Sequence, residues 1–314
     1  MLIGAGSYTY ELVEDWAKLP EDESFNDVCS IAIDSDDKLF LITRGSYPVV
    51  EYDRNGDRLN AWGKGLFTHI HGGRVGPDNS LYCIDADGHT VSKFSRDGKC
   101  IFMIGQKDQP SETGYKSWTP ESSVDFVQNL DTIRGGPPFN MPTSVFVAPS
   151  GEIYVSDGYG NARIHVFTPG GALKFSWGEP GRGPGQFRVP HSVWIDKHDR
   201  VWVADRQNDR LQIFDKQGAF LDQWIDFDWP CDIFIDEQEN VYVAELKRRI
   251  TILDKNGKIL LRYRDSEPDK QKAVLLAPHG IAVDSTGSIY VGEVAKAFGL
   301  ADRRGRAIQK FVRV

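Results

Sequence analysis

One strand–turn–strand unit recurs along this chain, and that recurrence limits the fold more than anything else in the sequence. The segments AIDSDDKLFLIT (32–43), RVGPDNSLYCID (74–85), FVAPSGEIYVSD (146–157), WIDKHDRVWVAD (194–205), FIDEQENVYVAE (234–245) and AVDSTGSIYVGE (282–293) are versions of it. In each, a β-branched or aromatic run meets a polar turn rich in Gly, Asp or Asn, and a second apolar run follows. A third strand such as RLQIFDKQG (210–218) comes next, then a fourth such as AFLDQW (219–224). Short alternating runs between turn signals predict antiparallel sheets. Copies spaced about 40 residues apart, with four strands each, predict an all-β chain folded as a six-bladed β-propeller.

The blades are expected at about 25–63, 67–105, 139–178, 187–224, 225–263 and 275–314, in a single domain spanning 1–314. Residues 106–139 and 295–306 read as insertions. The first carries Tyr115, Trp118 and Phe126, and a long loop of that kind in a compact fold is expected to act as a lid. The sixth blade reaches Val314 without a fourth strand. Tyr8–Trp16 has the composition to supply it, so an N-terminal strand is expected to close the ring and remove an open edge.

Charge and composition exclude some partners. A net charge of −8 gives no global attraction to nucleic acid or to an anionic membrane. The short basic runs Lys247-Arg248-Arg249 and Arg303-Arg304-Gly305-Arg306 read as solvated loop charges. No apolar segment approaches the roughly 18 residues of a membrane span, and the N-terminus lacks the pattern of a signal peptide. Cys29, Cys83, Cys100 and Cys231 show no CxxC pairing. Reduced thiols in the cytoplasm are the simplest expectation. The sequence carries no indication of oligomeric state.

Alignment of the repeats exposes one position at the start of each innermost strand, occupied in order by Cys29, His71, Thr143, His191, Cys231 and His279. Alternate blades of a six-fold ring lie about 120° apart, so the three histidines should converge on the axis. Three imidazoles fill all but one position of a tetrahedral site, leaving one for water or substrate, as a catalytic zinc requires. Iron or cobalt would accept the same ligands. A lone strand histidine is more often a hydrogen-bonded core residue; three at one repeat position favour a metal. His69, His89, His165 and His198 share no repeat position and receive no role. Cys29 and Cys231 could also reach the axis, but six ligands would crowd a tetrahedral ion, so both read as small packing residues.

A second recurrent position ends the second strand of each blade: Thr43, Asp85, Asp157, Asp205, Glu245 and Glu293. One polar group per blade at a constant place reads as structural. The residues just beyond it vary, and they include Arg44, Arg206 and, one step further on, Tyr159. These should share the histidines' face. Two arginines suit a small substrate bearing a carboxylate, and a tyrosine beside arginine and zinc is a candidate base.

The segments DGYGNARIHVF (157–167), RVPHSVWIDKHDRVWVADRQNDRLQIF (188–214) and APHGIAVDSTGSIYVGE (277–293) resemble the peptidylglycine α-hydroxyglycine α-amidating lyases, propellers of the NHL-repeat type. The resemblance implies a zinc held by His71, His191 and His279, with Tyr159, Arg44 and Arg206 as catalytic residues. It implies cleavage of the C–N bond of an N-acyl-α-hydroxyglycine to an amide and glyoxylate. This chain departs from the family at Ala277 and Gly280, where Met and Asp are usual, which leaves a structural calcium doubtful. It departs again at Gly160, where the family has a disulfide cysteine. A smaller carbinolamide than a secreted peptide is the expected substrate. A zinc-dependent hydrolase and a non-catalytic NHL scaffold are the other readings that the sequence allows.

Overall fold

The computed structural model describes residues 1–115 and 132–314. Trp118 and Phe126, and with them much of the expected lid, lie outside the described residues. The chain is an all-β six-bladed propeller. Its blades are antiparallel sheets whose innermost strands are Val28–Ile33, Ile70–Val75, Pro142–Val147, Pro190–Ile195, Pro230–Ile235 and Pro278–Val283. In the sixth blade the N-terminal strand Tyr8–Val13 pairs with Ile308–Arg313, and Leu2–Ala5 adds a fifth strand outside it. The closing strand stops at Val13 rather than Trp16. Trp16 instead packs between Tyr52 and Tyr290, at ring separations of 5.6 and 5.1 Å, while its indole donates to the Arg54 carbonyl at 2.9 Å.

The chain divides into two compact units, residues 1–75 with 231–314 and residues 76–230. In the first, the core lies between neighbouring sheets. Tyr242, Ile250, Ile252, Ile281 and Val291 fill the space between the fifth and sixth blades; Phe25, Ile31, Leu41, Ala282 and Tyr290 fill that between the sixth and first. The second unit repeats the scheme, with Ile84, Val145, Val155 and Phe167 in one layer and Ile164, Val193, Val203 and Phe214 in the other. Each of the Val, Ile, Leu and Phe side chains among them contributes roughly 1.5–3 kcal/mol by leaving water. The alternation of the repeat thus becomes sheet-on-sheet packing.

Six of the hairpin turns follow from one residue type. Asp34, Asp53, Asp196, Asp215, Asp254 and Asp284 each accept backbone N–H bonds from the second and fourth residues onward, at 2.8–3.0 Å. That ties the turn with a local carboxylate. The third residue onward takes a left-handed conformation, as at Asp37, Gly56 and Asp199 (φ +57°, +79° and +60°). At Gly56 a Cβ would stand 1.8 Å from the Trp16 carbonyl oxygen, so only glycine fits.

The two basic runs are not simply solvated charge. Arg249 is buried and paired with Glu245. Arg248 binds Asp265 at 2.9 Å and the Leu275 carbonyl at 3.1 Å. Arg303 is buried 3.2 Å from Glu293, and Arg304 donates to the backbone carbonyls of Pro20, Glu21 and Glu23. Guanidinium groups fasten loops here because each offers several donors in a fixed plane. Charge counting alone could not see their partners.

Candidate active site

Cys29, His71, Thr143, His191, Cys231 and His279 each stand second in a six-residue innermost strand. In the first, third, fourth and sixth blades this residue lies at a register shift, skipped by the pairing of its neighbours. A bulge of this kind re-aims a side chain that the regular pleat would direct elsewhere. The approach to it is strained. Met141, Val189 and Trp229, two residues before Thr143, His191 and Cys231, have φ of +61°, +64° and +60°. For β-branched Val189 that is a costly conformation.

The acidic position ending each second strand fastens this approach. Asp157 accepts from the Asn140 N–H and Asp205 from the Arg188 N–H, both at 2.8 Å, and Glu293 accepts from the Ala277 N–H at 3.1 Å. The Arg44 N–H donates to the Asp27 carbonyl and the Arg206 N–H to the Val189 carbonyl, each at 3.0 Å. These bonds set Arg44 beside Val28–Ile33 and Arg206 beside Pro190–Ile195, at the same strand ends as the repeat's ring position.

Within the first unit, the imidazoles of His71 and His279 are buried edge to face, with ring centres 4.9 Å apart and planes at 73°. Nδ1 of His279 lies 2.7 Å from the Cys29 carbonyl oxygen. Since that oxygen can only accept, Nδ1 carries the proton, and the Nε2 lone pair is left for a metal. Burial pushes the Cys29 thiol up to about 11, and its Sγ lies 3.8 Å from the Ile70 carbonyl oxygen, in the packing between the two strands. A side chain at Gly280 would meet Ser30 Cα at 2.9 Å; the small residue lets the strands bearing Cys29 and His279 approach. Arg44 sits 3.3 Å from Asp27 Oδ2 and lines a cavity of about 300 Å³ with Phe67, Thr68 and His69.

Within the second unit, three predicted residues meet. The Tyr159 hydroxyl is 3.1 Å from His191 Nε2, and Arg206 Nη1 donates to the same oxygen at 3.3 Å. The guanidinium carbon also lies 5.1 Å from the centre of the Tyr159 ring. Arg206 is only 1% exposed, and a fixed cation there favours negative charge on the phenol oxygen. Gly158 makes the approach possible, since a Cβ on it would stand 2.2 Å from the Pro190 carbonyl oxygen. A Cβ on Gly160 would similarly stand 2.2 Å from Asn140 Oδ1. Tyr159 thus turns toward His191 between two positions where a side chain would collide.

Of the three histidines at the ring position, His71 and His279 belong to the first unit and His191 to the second, and all three are buried. His165, given no role, is a core residue bonded to Ser176 at 2.7 Å, and His89 Nδ1 accepts from the Met141 N–H at 3.1 Å. Sequence reasoning missed the Cys29 carbonyl as the group that orients His279. No residue type signals it, because every residue has a carbonyl.

These observations define the class: the chain is a six-bladed β-propeller. Residues 144–243 match a family described as a 6-bladed beta-propeller. Human NHL repeat-containing protein 3 is 29% identical over 321 residues, covering 96% of this chain and 84% of that protein. Peptidyl-alpha-hydroxyglycine alpha-amidating lyase 1 of Drosophila melanogaster is 30% identical over 176 residues. That alignment covers 52% of this chain and 28% of the lyase, so the chain spans little more than a quarter of that relative. Among solved structures, a gluconolactonase from Xanthomonas campestris shares the fold with a TM-score of 0.61 at 12% identity, over 99% of this chain and 97% of that one. No described helix is long and apolar enough to cross a membrane.

Proposed function

We propose that the protein is a zinc-dependent carbon–nitrogen lyase, acting on small N-acyl-α-hydroxyglycine-like hemiaminals to give an amide and glyoxylate. The observation that carries this reading is the phenol oxygen of Tyr159, held between a buried guanidinium and the imidazole of His191. The donor set fits zinc: three buried imidazoles, one of them with its tautomer fixed by a carbonyl. His71, His191 and His279 would hold the ion. Bound there, zinc supplies Lewis acidity toward the substrate hydroxyl and carbonyl oxygens.

Every other part of the reaction falls to this chain's own groups. Arg206 and Arg44 bind the substrate carboxylate, guanidinium to carboxylate through paired hydrogen bonds. Tyr159 removes the proton of the α-hydroxyl. As the new C=O forms, the C–N bond breaks and its electron pair leaves with nitrogen, which takes a proton to complete the amide. The net change is transfer of one proton from oxygen to nitrogen and cleavage of one bond, with no redox partner. The four cysteines are unbridged, which supports a reducing, cytoplasmic setting.

The test is incubation of the zinc-loaded protein with N-acetyl-α-hydroxyglycine, with glyoxylate measured as a hydrazone. Glyoxylate above the spontaneous rate, lost in His191→Ala, supports the assignment. Full zinc occupancy without glyoxylate would falsify the substrate and leave the metal site standing.

A further inference from the structure

A second cavity, of about 330 Å³, lies within the second unit. Its wall includes Thr132, Gly158, Asn161, Arg182, Phe187, Arg188 and Val189. It adjoins the candidate catalytic residues in two ways. Gly158 precedes Tyr159, and Val189 gives its carbonyl to the Arg206 N–H at 3.0 Å.

The charge on this wall is unusual for the molecule. The protein carries eight more acidic than basic side chains, and arginines elsewhere are tied down: Arg163 to Glu179, Arg210 to Asp205, Arg248 to Asp265 and Arg303 to Glu293. Arg182 and Arg188 have no ion pair and no side-chain hydrogen bond to any described residue. Among the described residues, neither an aspartate nor a glutamate lines the cavity. Asn161 beside them is already engaged, since it donates to Asp157 at 2.8 Å and accepts from the Gly136 N–H at 3.2 Å. Two arginines on the wall of a cavity that no described carboxylate lines suit an anion, because each guanidinium offers a planar pair of donors matched to carboxylate or phosphate oxygens. Phe187 supplies an apolar wall against which the body of a ligand can lie.

We infer that this cavity is an anion subsite, taking a carboxylate or phosphate carried on the acyl part of the substrate, remote from the reacting carbon. The anion's place on the substrate rests on the lyase reading; the affinity of the cavity for an anion does not. The substrate class then narrows to doubly anionic hemiaminals, with one carboxylate at the reacting end and a second acid group on the acyl arm.

Two measurements test this with the full chain. In the first, inorganic phosphate and succinate are titrated separately into wild type and into an Arg182→Gln/Arg188→Gln variant, with binding read by calorimetry and by the guanidinium NMR signals of the two arginines. Saturable binding in wild type, weakened about ten- to a hundredfold in the variant, supports the subsite, and the tighter anion identifies phosphate or carboxylate. Equal or absent binding of both anions in the two proteins overturns it. In the second, turnover of N-succinyl-, N-phosphonoacetyl- and N-acetyl-α-hydroxyglycine is compared. A preference for an anionic arm, lost in the variant while the N-acetyl rate is kept, supports the assignment. An equal loss for all three substrates overturns it. Should no substrate turn over, the lyase reading fails and the titrations alone decide the subsite.

Discussion

Nδ1 of His279 lies 2.7 Å from the carbonyl oxygen of Cys29, so a histidine from the sixth blade is oriented by the backbone of the first. Both residues hold the same position of the repeat, second in their innermost strands. With Nδ1 committed to that bond, Nε2 is the nitrogen that a metal can use. Alanine at His71, His191 or His279 is therefore expected to lower bound zinc from about one ion per chain to a small fraction. Wild type should gain thermal stability from zinc, about 2.7 kcal/mol at a hundredfold excess over Kd, and each variant should lose that gain. Metal analysis after dialysis, paired with melting curves at graded zinc, checks both. Retention of zinc in all three variants would place the metal elsewhere.

Tyr159 offers a sharper separation of binding from chemistry. Its oxygen is shared between His191 and Arg206, yet it is not one of the three nitrogen donors. Tyr159→Phe should keep zinc at the wild-type level and leave KM little changed, while kcat falls about 10²- to 10⁴-fold, the usual contribution of a positioned acid or base. Wild-type turnover in the phenylalanine protein would remove Tyr159 from the mechanism.

The repeat made the fold legible because its information is redundant: a blade blurred in one copy, such as the second, is clear in another. The ring position was legible for the same reason, since His71, His191 and His279 coincide only when the copies are aligned. The proximity of Tyr159, His191 and Arg206 was half legible. Loop-first residues of neighbouring blades were expected on one face, but their contact depends on Gly158 passing close to the Pro190 carbonyl, which a sequence does not display. The basic runs misled because Arg249 and Arg303 find acids four and ten residues away. In a β-fold such separations become neighbours through strand pairing rather than along the chain. Arg182 and Arg188 went unnoticed because an arginine that lines a cavity looks the same in a sequence as one that is tied down by an acid.

The four thiols should divide three to one. Cys29, Cys83 and Cys231 are buried and Cys100 is exposed. Burial pushes Cys29 up to about 11 and raises Cys83 further still, so neither forms thiolate near neutral pH. Ellman's reagent at pH 8 should titrate one thiol in the native protein and four after denaturation. The sign for stability follows from Cys29. Its pKa is raised on folding, so its contribution is intact below the unfolded value near 9 and is lost as pH rises from there toward 11. Cys29→Ala should flatten that part of the stability profile. Rapid native reaction of more than one thiol would contradict the packing around Cys29.

Arg206 joins structure and chemistry most closely, because one buried guanidinium both caps the Tyr159 oxygen and stands where a substrate carboxylate is expected. Lysine keeps the charge and loses the planar pair of donors, so it cannot hold a carboxylate through two bonds while also reaching the phenol. Arg206→Lys is therefore expected to raise KM and lower kcat together, for a loss of about tenfold or more in kcat/KM, the value of a single charged hydrogen bond. Zinc content should be unchanged, which separates this effect from damage to the histidines. Arg206→Met removes the charge as well and should cost more in kcat than lysine does, since no cation then balances charge on Tyr159. Equal rates for the lysine and methionine variants would mean that geometry alone matters at this position and that its charge contributes nothing to the transition state.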